Sequence, residues 1–136
     1  CIKLRKRRLF RNITKAIAKE MDVKPTLDLR SPSSRYYVYG IYNKAFNEWC
    51  LENIGTNSNN KHLPYWIIQL PLEDLNVVFD CLMKTDGWWK SKTAGEFAST
   101  SKQLADQFQI IVDLFSVVLH KLILCIRHFL PLGKPA

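Results

Sequence analysis

The sequence predicts an α+β fold, in which helices alternate with pairs of short antiparallel strands. Two local patterns indicate it. Some stretches place apolar residues three and four positions apart, as helices do, and shorter stretches rich in tyrosine, tryptophan and β-branched residues favour strands. The composition is typical of a folded domain, because 47% of the 136 residues are hydrophobic and 24% are charged. The predicted order is helix, strand, strand, helix, helix, strand, strand, helix.

The first half of the chain is predicted to begin with a helix capped by Asn12 or Thr14. Ile13, Ile17 and Met21 recur every four residues, which predicts that they share one face of the helix. Three shorter elements follow, in the order strand, strand and helix: residues 27–29, 35–42 and 44–54.

The second half contains the clearest helical pattern, between Pro71 and Gly87. Proline suits the first turn of a helix, and the glycine is expected to leave the helix with a positive φ. Five apolar residues share one face at helical spacing: Leu75, Val78, Phe79, Leu82 and Met83. This pattern predicts a long amphipathic helix packed against a core.

Two strands and a last helix complete the prediction. The strands are expected at residues 88–92 and 95–99. Thr100 and Gln103 are predicted to form a capping box for the helix. Its apolar positions are Leu104, Phe108, Ile111 and Phe115. The apolar pattern continues through residues 116–132, so the helix is expected to extend to the end of that stretch.

Positive charge is concentrated at the start of the chain. The net charge is +8, and residues 1–24 contribute most of it. Such a cluster attracts phosphates by releasing counterions, so we expect it to bind DNA or RNA. The residues concerned are Arg5, Lys6, Arg7, Arg8 and Arg11. A solvated basic arm and the remnant of an organellar targeting sequence are the alternatives. Because the chain begins with Cys1 rather than Met, we expect either a fragment or a processed product, with the true N-terminus upstream.

The cysteines and the apolar C-terminal stretch argue against two kinds of protein. The four cysteines form no C-x-x-C pair, which makes a zinc site unlikely on spacing alone. Cys50, Cys81 and Cys125 each lie in an apolar helical pattern. We expect them to be small core residues in a reducing compartment, either an organelle (mitochondrion or plastid) or the cytoplasm. Charged residues interrupt the C-terminal stretch before the roughly 20 apolar residues that a bilayer requires, so no membrane partner is expected.

Three motifs follow one another in the second half. They are KxLPxWI at residues 61–67, FDCLMKTDG at residues 79–87 and FxSTSKQLA at residues 97–105. In this order they resemble the lead-in, the nine-residue signature and the strand-to-helix passage of the LAGLIDADG homing endonucleases of inteins and introns. The resemblance implies a saddle of helices and antiparallel strands. It also implies a second repeat at residues 61–136, with its signature helix at 72–87, after a basic segment and the back half of a first repeat at residues 1–60.

The resemblance assigns roles to the end of the signature helix. Asp86 would be the catalytic carboxylate that binds a divalent metal, usually Mg²⁺, and a carbonyl beside Gly87 would also contact it. Cys81 and Thr85, four residues apart, would let a second signature helix pack closely. Only one complete signature is present, so the second half would come from a dimer partner or from a missing upstream segment.

The family's sheet lies along nucleic acid, which implies contacts from strand residues as well. The positions concerned are Arg35, Tyr37, Tyr39, Trp88, Lys90, Lys92 and Ser99. The resemblance thus implies a site-specific DNA endonuclease that hydrolyses phosphodiester bonds with a divalent metal. Two alternatives stay open. One is a non-catalytic RNA-binding protein derived from the same family, either maturase-like or a ribonucleoprotein component. The other is a protein-interaction domain that uses its four tryptophans.

Overall fold

The computed structural model describes residues 4–30, 37–119 and 123–128, and the side chains of residues 6–30 and 37–116. The described residues form four α-helices and two small sheets, so the predicted α+β class is confirmed. The chain divides into two compact units, residues 1–48 and 49–136. The boundary between them falls inside α2 (Lys44–Asn53).

The first unit consists of α1 (Leu4–Glu20), β1 (Thr26–Leu29), β2 (Val38–Gly40) and the start of α2. β1 and β2 pair antiparallel, as predicted. α1 packs on both strands. The unit therefore has one helix laid on a two-stranded hairpin.

The predicted start of α1 is wrong. The helix begins well upstream of Asn12, because its first turns consist mainly of leucine, arginine and lysine, which are strong helix formers. Thr14 and Ala18 are buried, whereas Ile13 is 37% exposed. The Thr14 hydroxyl donates to the Phe10 carbonyl at 2.8 Å, which satisfies its hydrogen-bonding capacity inside the helix.

The end of α2 matches the sequence pattern. Gly55 follows the helix with φ +106° and donates its N–H to the Cys50 carbonyl at 3.2 Å. A Cβ at Gly55 would lie 2.5 Å from the Asn60 carbonyl oxygen, so space as well as backbone conformation requires glycine there. The Asn60 side chain in turn accepts the N–H groups of Thr56 and Asn57, both at 2.9 Å, and closes the polar loop.

The second unit contains, after the end of α2, a short 3-10 helix and five longer or paired elements. They are the 3-10 helix (Tyr65–Gln69), α3 (Leu72–Thr85), β3 (Gly87–Trp89), β4 (Ala94–Ser99), α4 (Lys102–Leu119) and β5 (Ile123–His128). The strand order is β3-β4-β5, with β3 and β4 antiparallel and β4 and β5 parallel. α3 and α4 pack against each other and against this sheet. None of the helices in the described residues is long and apolar enough to cross a membrane.

The prediction that the last helix continues through residues 116–132 is wrong. α4 ends at Leu119, and residues 123–128 form β5 along the edge of β4. A short apolar run fits a buried strand as well as a helix, so periodicity alone did not distinguish them, and the pairing with β4 decides. Residues 129–132 lie outside the described part of the chain.

Aromatic rings form the centre of the second unit. Phe108 of α4 lies between Phe79 of α3 and Phe97 of β4, with ring centroids 5.5 Å and 4.0 Å away. Phe115 contacts Phe79 edge-on at 5.5 Å. Leu75, Phe79 and Met83 are buried, as the helical spacing of α3 predicted. The core fixes the C-terminal end of α3 against the start of the sheet.

The N-terminus of α4 is capped by a different residue from the predicted one. Ser101 accepts the N–H of Leu104 on its hydroxyl at 3.2 Å, and its carbonyl accepts the N–H of Ala105. Thr100 instead donates its hydroxyl to the Ser58 carbonyl at 2.9 Å. The cap therefore lies one residue further along than the Thr100–Gln103 capping box.

Candidate functional site

Asp86 lies at the junction between α3 and β3, as the C-cap residue of the helix. Its N–H donates to the Leu82 carbonyl at 2.9 Å, which fixes the backbone. Its side chain is 35% exposed, and Lys61 Nζ donates to its Oδ2 at 2.7 Å. The structure thus brings the last acid of the FDCLMKTDG motif and the first residue of the KxLPxWI motif into direct contact.

The segment that carries Lys61 is held on α4 by three hydrogen bonds. Ser101 Oγ donates to the Lys61 carbonyl at 2.5 Å. Gln107, which is 8% exposed, donates to the Leu63 carbonyl at 2.9 Å and accepts the Leu63 N–H at 2.8 Å. Because Ser101 caps α4 and Gln107 lies within it, the start of this helix positions the lysine beside Asp86.

Gly87 is required by space, not by a positive φ as we expected from the sequence. A Cβ at this position would lie 2.7 Å from Met83 Sδ and 2.9 Å from Met83 Cα. Met83 is buried at 3% exposure and cannot withdraw into solvent. The Asp86 carbonyl, which the sequence assigned to a metal, accepts the Ala98 N–H at 3.4 Å. Glycine therefore lets the chain turn directly from α3 into the sheet.

The chemistry of Asp86 suits Mg²⁺, since carboxylate oxygens are the hard ligands that this ion prefers. No group of three or more His, Cys, Asp or Glu side chains that fits a metal is found among the described residues. Lys61 contacts one of the two Asp86 carboxylate oxygens.

Cys81 and Thr85 lie on α3, one turn apart. Cys81 is exposed, so the expectation that it is a core residue is wrong, because it lies on the side of α3 away from the buried face. The Thr85 hydroxyl lies 3.1 Å from the carbonyl oxygens of Cys81 and Leu82. Cys50 is partly buried, and this burial raises the pKa of its thiol. The Cys125 side chain lies outside the described part of the chain.

The β3–β4 hairpin presents part of the predicted nucleic-acid surface. Trp88 is 45% exposed, and Lys90 forms an ion pair with Glu96. Glu96 itself is only 4% exposed. Trp89 contacts Phe79 edge-on at 6.1 Å and is 44% exposed. Trp89, Lys90, Ser91 and Lys92 line a shallow depression at the tip of the hairpin.

Ser99 does not fit the contact role that the sequence predicted. It is 4% exposed, and its hydroxyl oxygen accepts the Ser101 N–H at 3.1 Å. A side chain that is buried and bonded to the backbone cannot reach a phosphate or a base edge. Ser99 instead shapes the turn from β4 into α4.

The predicted basic residues of the first unit lie on α1. Arg8 and Arg11 are exposed, and Lys6 and Arg7 are half-buried. Arg5 also belongs to α1, but its side chain lies outside the described part, as does Arg35 entirely. The cluster at residues 6–11 is thus helical, with Arg8 and Arg11 on its solvated side.

One acid that sequence reasoning did not single out organises this unit. Asp28 accepts the Tyr39 hydroxyl at 2.7 Å and Arg7 Nε at 3.0 Å, and it forms an ion pair with Arg11 Nε at 3.4 Å. The bonds from Tyr39 and then Arg7 hold the pKa of Asp28 below its ordinary value. The Arg7 guanidinium lies over the Tyr37 ring, 3.9 Å from its centroid.

A sequence signal for Asp28 exists. It interrupts a strand of otherwise β-compatible residues, where aspartate is disfavoured, and it is surrounded by a strongly basic segment. Tyr39 and Tyr37 were both predicted to contact nucleic acid, and they lie against Asp28 and its partner Arg7. Tyr39 bonds to Asp28 and stacks on Phe10 at 6.4 Å, so its hydroxyl is not presented to a ligand. Burial and then the bond to Asp28 raise the pKa of Tyr39.

Comparison with known proteins identifies no relative, because no family model, curated protein or solved structure matches the chain. The function must therefore be inferred from the residues themselves. The described chain offers a lysine–aspartate pair at a helix end, a hairpin with exposed tryptophan and lysine, and a basic helix braced by one aspartate.

Proposed function

We propose that the protein binds nucleic acid and that its second unit is one half of a LAGLIDADG-type endonuclease, which hydrolyses phosphodiester bonds in DNA with Mg²⁺. The contact between Lys61 and Asp86 supports this proposal most strongly. These residues are 25 positions apart and belong to two different motifs of the resemblance. If the two motifs matched the family only by chance, their side chains would not be expected to contact each other.

The pair has a chemical use in phosphodiester hydrolysis. Asp86 offers a carboxylate at the exposed end of a helix, and Lys61 places an ammonium group 2.7 Å from it. When bound, Mg²⁺ would activate water and offset the negative charge that develops on the phosphate. On this proposal Asp86 would hold the ion, and Lys61 would bind a phosphate oxygen of the substrate.

A second half is needed to supply further acidic ligands. The side of α3 that carries Cys81 is exposed, and the small side chains of Cys81 and Thr85 permit the close approach of another helix. We assign this face to a second signature helix, from a second copy of the chain or from upstream sequence. Asp86 would then lie next to its counterpart at the end of the paired helices.

Cleavage of supercoiled plasmid DNA in the presence of Mg²⁺ tests the endonuclease proposal. The wild type is expected to nick the plasmid, and Asp86→Asn to abolish nicking while DNA binding is kept. Asp80→Asn is the matched control, because Asp80 is an exposed acid on the same helix and the charge change is identical. Nicking that survives Asp86→Asn, or that is lost equally in Asp80→Asn, contradicts the assigned role. A wild type that does not nick overturns the cleavage activity.

Non-catalytic RNA binding is the second candidate, and one observation favours it. The ion pair with Lys61 offsets the charge of Asp86, so this helix end can lie beside a nucleic-acid backbone without a metal ion. On this alternative the protein is a maturase-like or ribonucleoprotein component that kept the basic surface. It is then expected to bind structured RNA more tightly than duplex DNA, and to the same extent in Mg²⁺ and in EDTA. Tighter binding to duplex DNA rules this alternative out.

A further inference from the structure

Asp28 has a backbone conformation that residues other than glycine rarely adopt. Its φ is +52°, and the pairing of β1 with β2 shifts register between Thr26 and Leu29. Aspartate tolerates this region better than most residues, but glycine would adopt it with less strain. A strained residue inside a strand needs compensation from its side chain. At Asp28 that compensation comes from contacts with Arg7, Arg11 and Tyr39.

The contacts fix two arginines one helical turn apart. Asp28 Oδ1 takes Arg7 Nε and Oδ2 takes Arg11 Nε, so each carboxylate oxygen holds one guanidinium. Tyr37 also covers one face of the Arg7 guanidinium. The remaining donors of each guanidinium are on its two terminal amino groups, which form the fork that binds oxyanions. The side chains of Arg7 and Arg11 keep 33% and 49% of their area exposed.

We propose that Arg7 and Arg11 form a binding site for a backbone phosphate of nucleic acid and that Asp28 is its positioning residue. The proposal rests on the nucleic-acid function above and adds a site in the first unit. An acid in a basic surface lowers the attraction for phosphate if it only adds negative charge. It raises affinity if it holds two flexible arginines in the geometry that binds the phosphate, because less side-chain entropy is then lost on binding.

These two effects of Asp28 have opposite signs, so a single substitution separates them. Asp28→Asn removes the negative charge, keeps a side chain that tolerates positive φ, and weakens the hold on both arginines. Charge alone predicts tighter binding to nucleic acid. Positioning predicts weaker binding, by about three- to tenfold, although the net charge has risen.

Asp22→Asn is the matched control. Asp22 has φ +51°, nearly the same as Asp28, and it is exposed in the turn after α1. Asp22→Asn changes charge and backbone preference in the same way as Asp28→Asn. Among the described residues, no arginine pair is held by Asp22. Asp22→Asn is expected to leave the affinity unchanged or to raise it slightly.

The measurement is the dissociation constant for a fluorescent duplex DNA of random sequence and for a structured RNA of similar length. Loss of affinity in Asp28→Asn but not in Asp22→Asn supports the site, and the ligand with the larger loss is the one whose phosphate it binds. Equal or tighter binding by Asp28→Asn overturns the proposal. If the wild type binds neither ligand, the proposed function fails and this site fails with it. Wild-type binding that Asp28→Asn leaves intact removes only this site.

Arg11→Lys provides a second test in case Asp28→Asn does not fold. Lysine keeps the charge but not the fork of terminal amino groups. The contacts of Asp28 with Arg7 and Tyr39 remain, so folding is expected to be retained. Arg8→Lys is the control, because Arg8 is an exposed arginine on the same helix. Weaker binding by Arg11→Lys than by Arg8→Lys supports the site, and equal binding overturns it.

Discussion

Lys61 and Asp28 have roles that depend on partners distant in sequence. Lys61 belongs to the KxLPxWI motif, and its contact with Asp86 is visible only in the folded chain. In the sequence, Asp28 is marked mainly as an aspartate that interrupts a strand pattern. Conversely, Ser99 fitted a strand position facing a ligand, but it is buried and bonded to Ser101. Local spacing predicts which face of an element a residue occupies, and it does not predict which polar partner the fold brings to it.

Gly87 gives a prediction at this scale. Gly87→Ala is expected to destabilise the protein by about 1–3 kcal/mol, because the added methyl group overlaps the Met83 backbone as well as its side chain. Thermal or urea denaturation measures the change.

Gly40→Ala is the control for that substitution. The nearest atoms to a Cβ at Gly40 are Tyr42 Cε2 at 3.6 Å and Thr26 Cβ at 3.7 Å, which are ordinary contact distances. Its stability is expected to stay within about 0.5 kcal/mol of the wild type, the range usual for substitutions without a steric conflict. A Gly87→Ala protein as stable as Gly40→Ala contradicts the close approach to Met83.

Elements were predicted well where a long pattern specified them. The core face of α3, the core face of α4 up to Phe115, and both antiparallel hairpins follow directly from spacing and composition. The errors occurred at helix ends and in short apolar runs. α1 starts earlier than its predicted cap, and β5 replaces the expected end of the last helix. At the start of α1 the helix propensity of leucine, arginine and lysine decides, and after α4 the pairing of β5 with β4 decides.

The cap of α4 gives a prediction at the scale of elements. Ser101→Ala removes the hydroxyl that accepts the Leu104 N–H and that also donates to the Lys61 carbonyl. A loss of about 1–2 kcal/mol in the free energy of unfolding is expected, as for other N-cap serines. Chemical denaturation of the purified variant measures it.

Thr100→Ala distinguishes this cap from the capping box that the sequence suggested. If Ser101 is the cap, Thr100→Ala is expected to cost less than Ser101→Ala. The larger loss in Thr100→Ala would mean that the helix begins one residue earlier than described. Because Ser101 also holds the segment that carries Lys61, only its substitution is expected to displace the lysine from Asp86.

For the whole molecule, the sequence was sufficient for the α+β class and for the concentration of positive charge in the first unit. It was not sufficient for the path of the chain after α4, which depends on a parallel pairing across more than twenty residues. The candidate site depends on both the sequence motifs and the fold. The motif resemblance singles out Asp86, and hydrogen bonds from Ser101 and Gln107 explain why Lys61 lies next to it. Both candidate functions require that the folded protein binds nucleic acid through its basic residues.

The dissociation constant for duplex DNA and for structured RNA, measured over a series of salt concentrations, tests this requirement most directly. Contacts from the basic residues of α1 and of the β3–β4 hairpin predict clear binding at low salt to at least one of the two ligands. They also predict that the logarithm of the association constant falls linearly with the logarithm of the salt concentration, with a slope of about −0.9 per phosphate contacted on duplex DNA. Absence of binding to either ligand at low salt, or an affinity that salt does not change, would contradict the account.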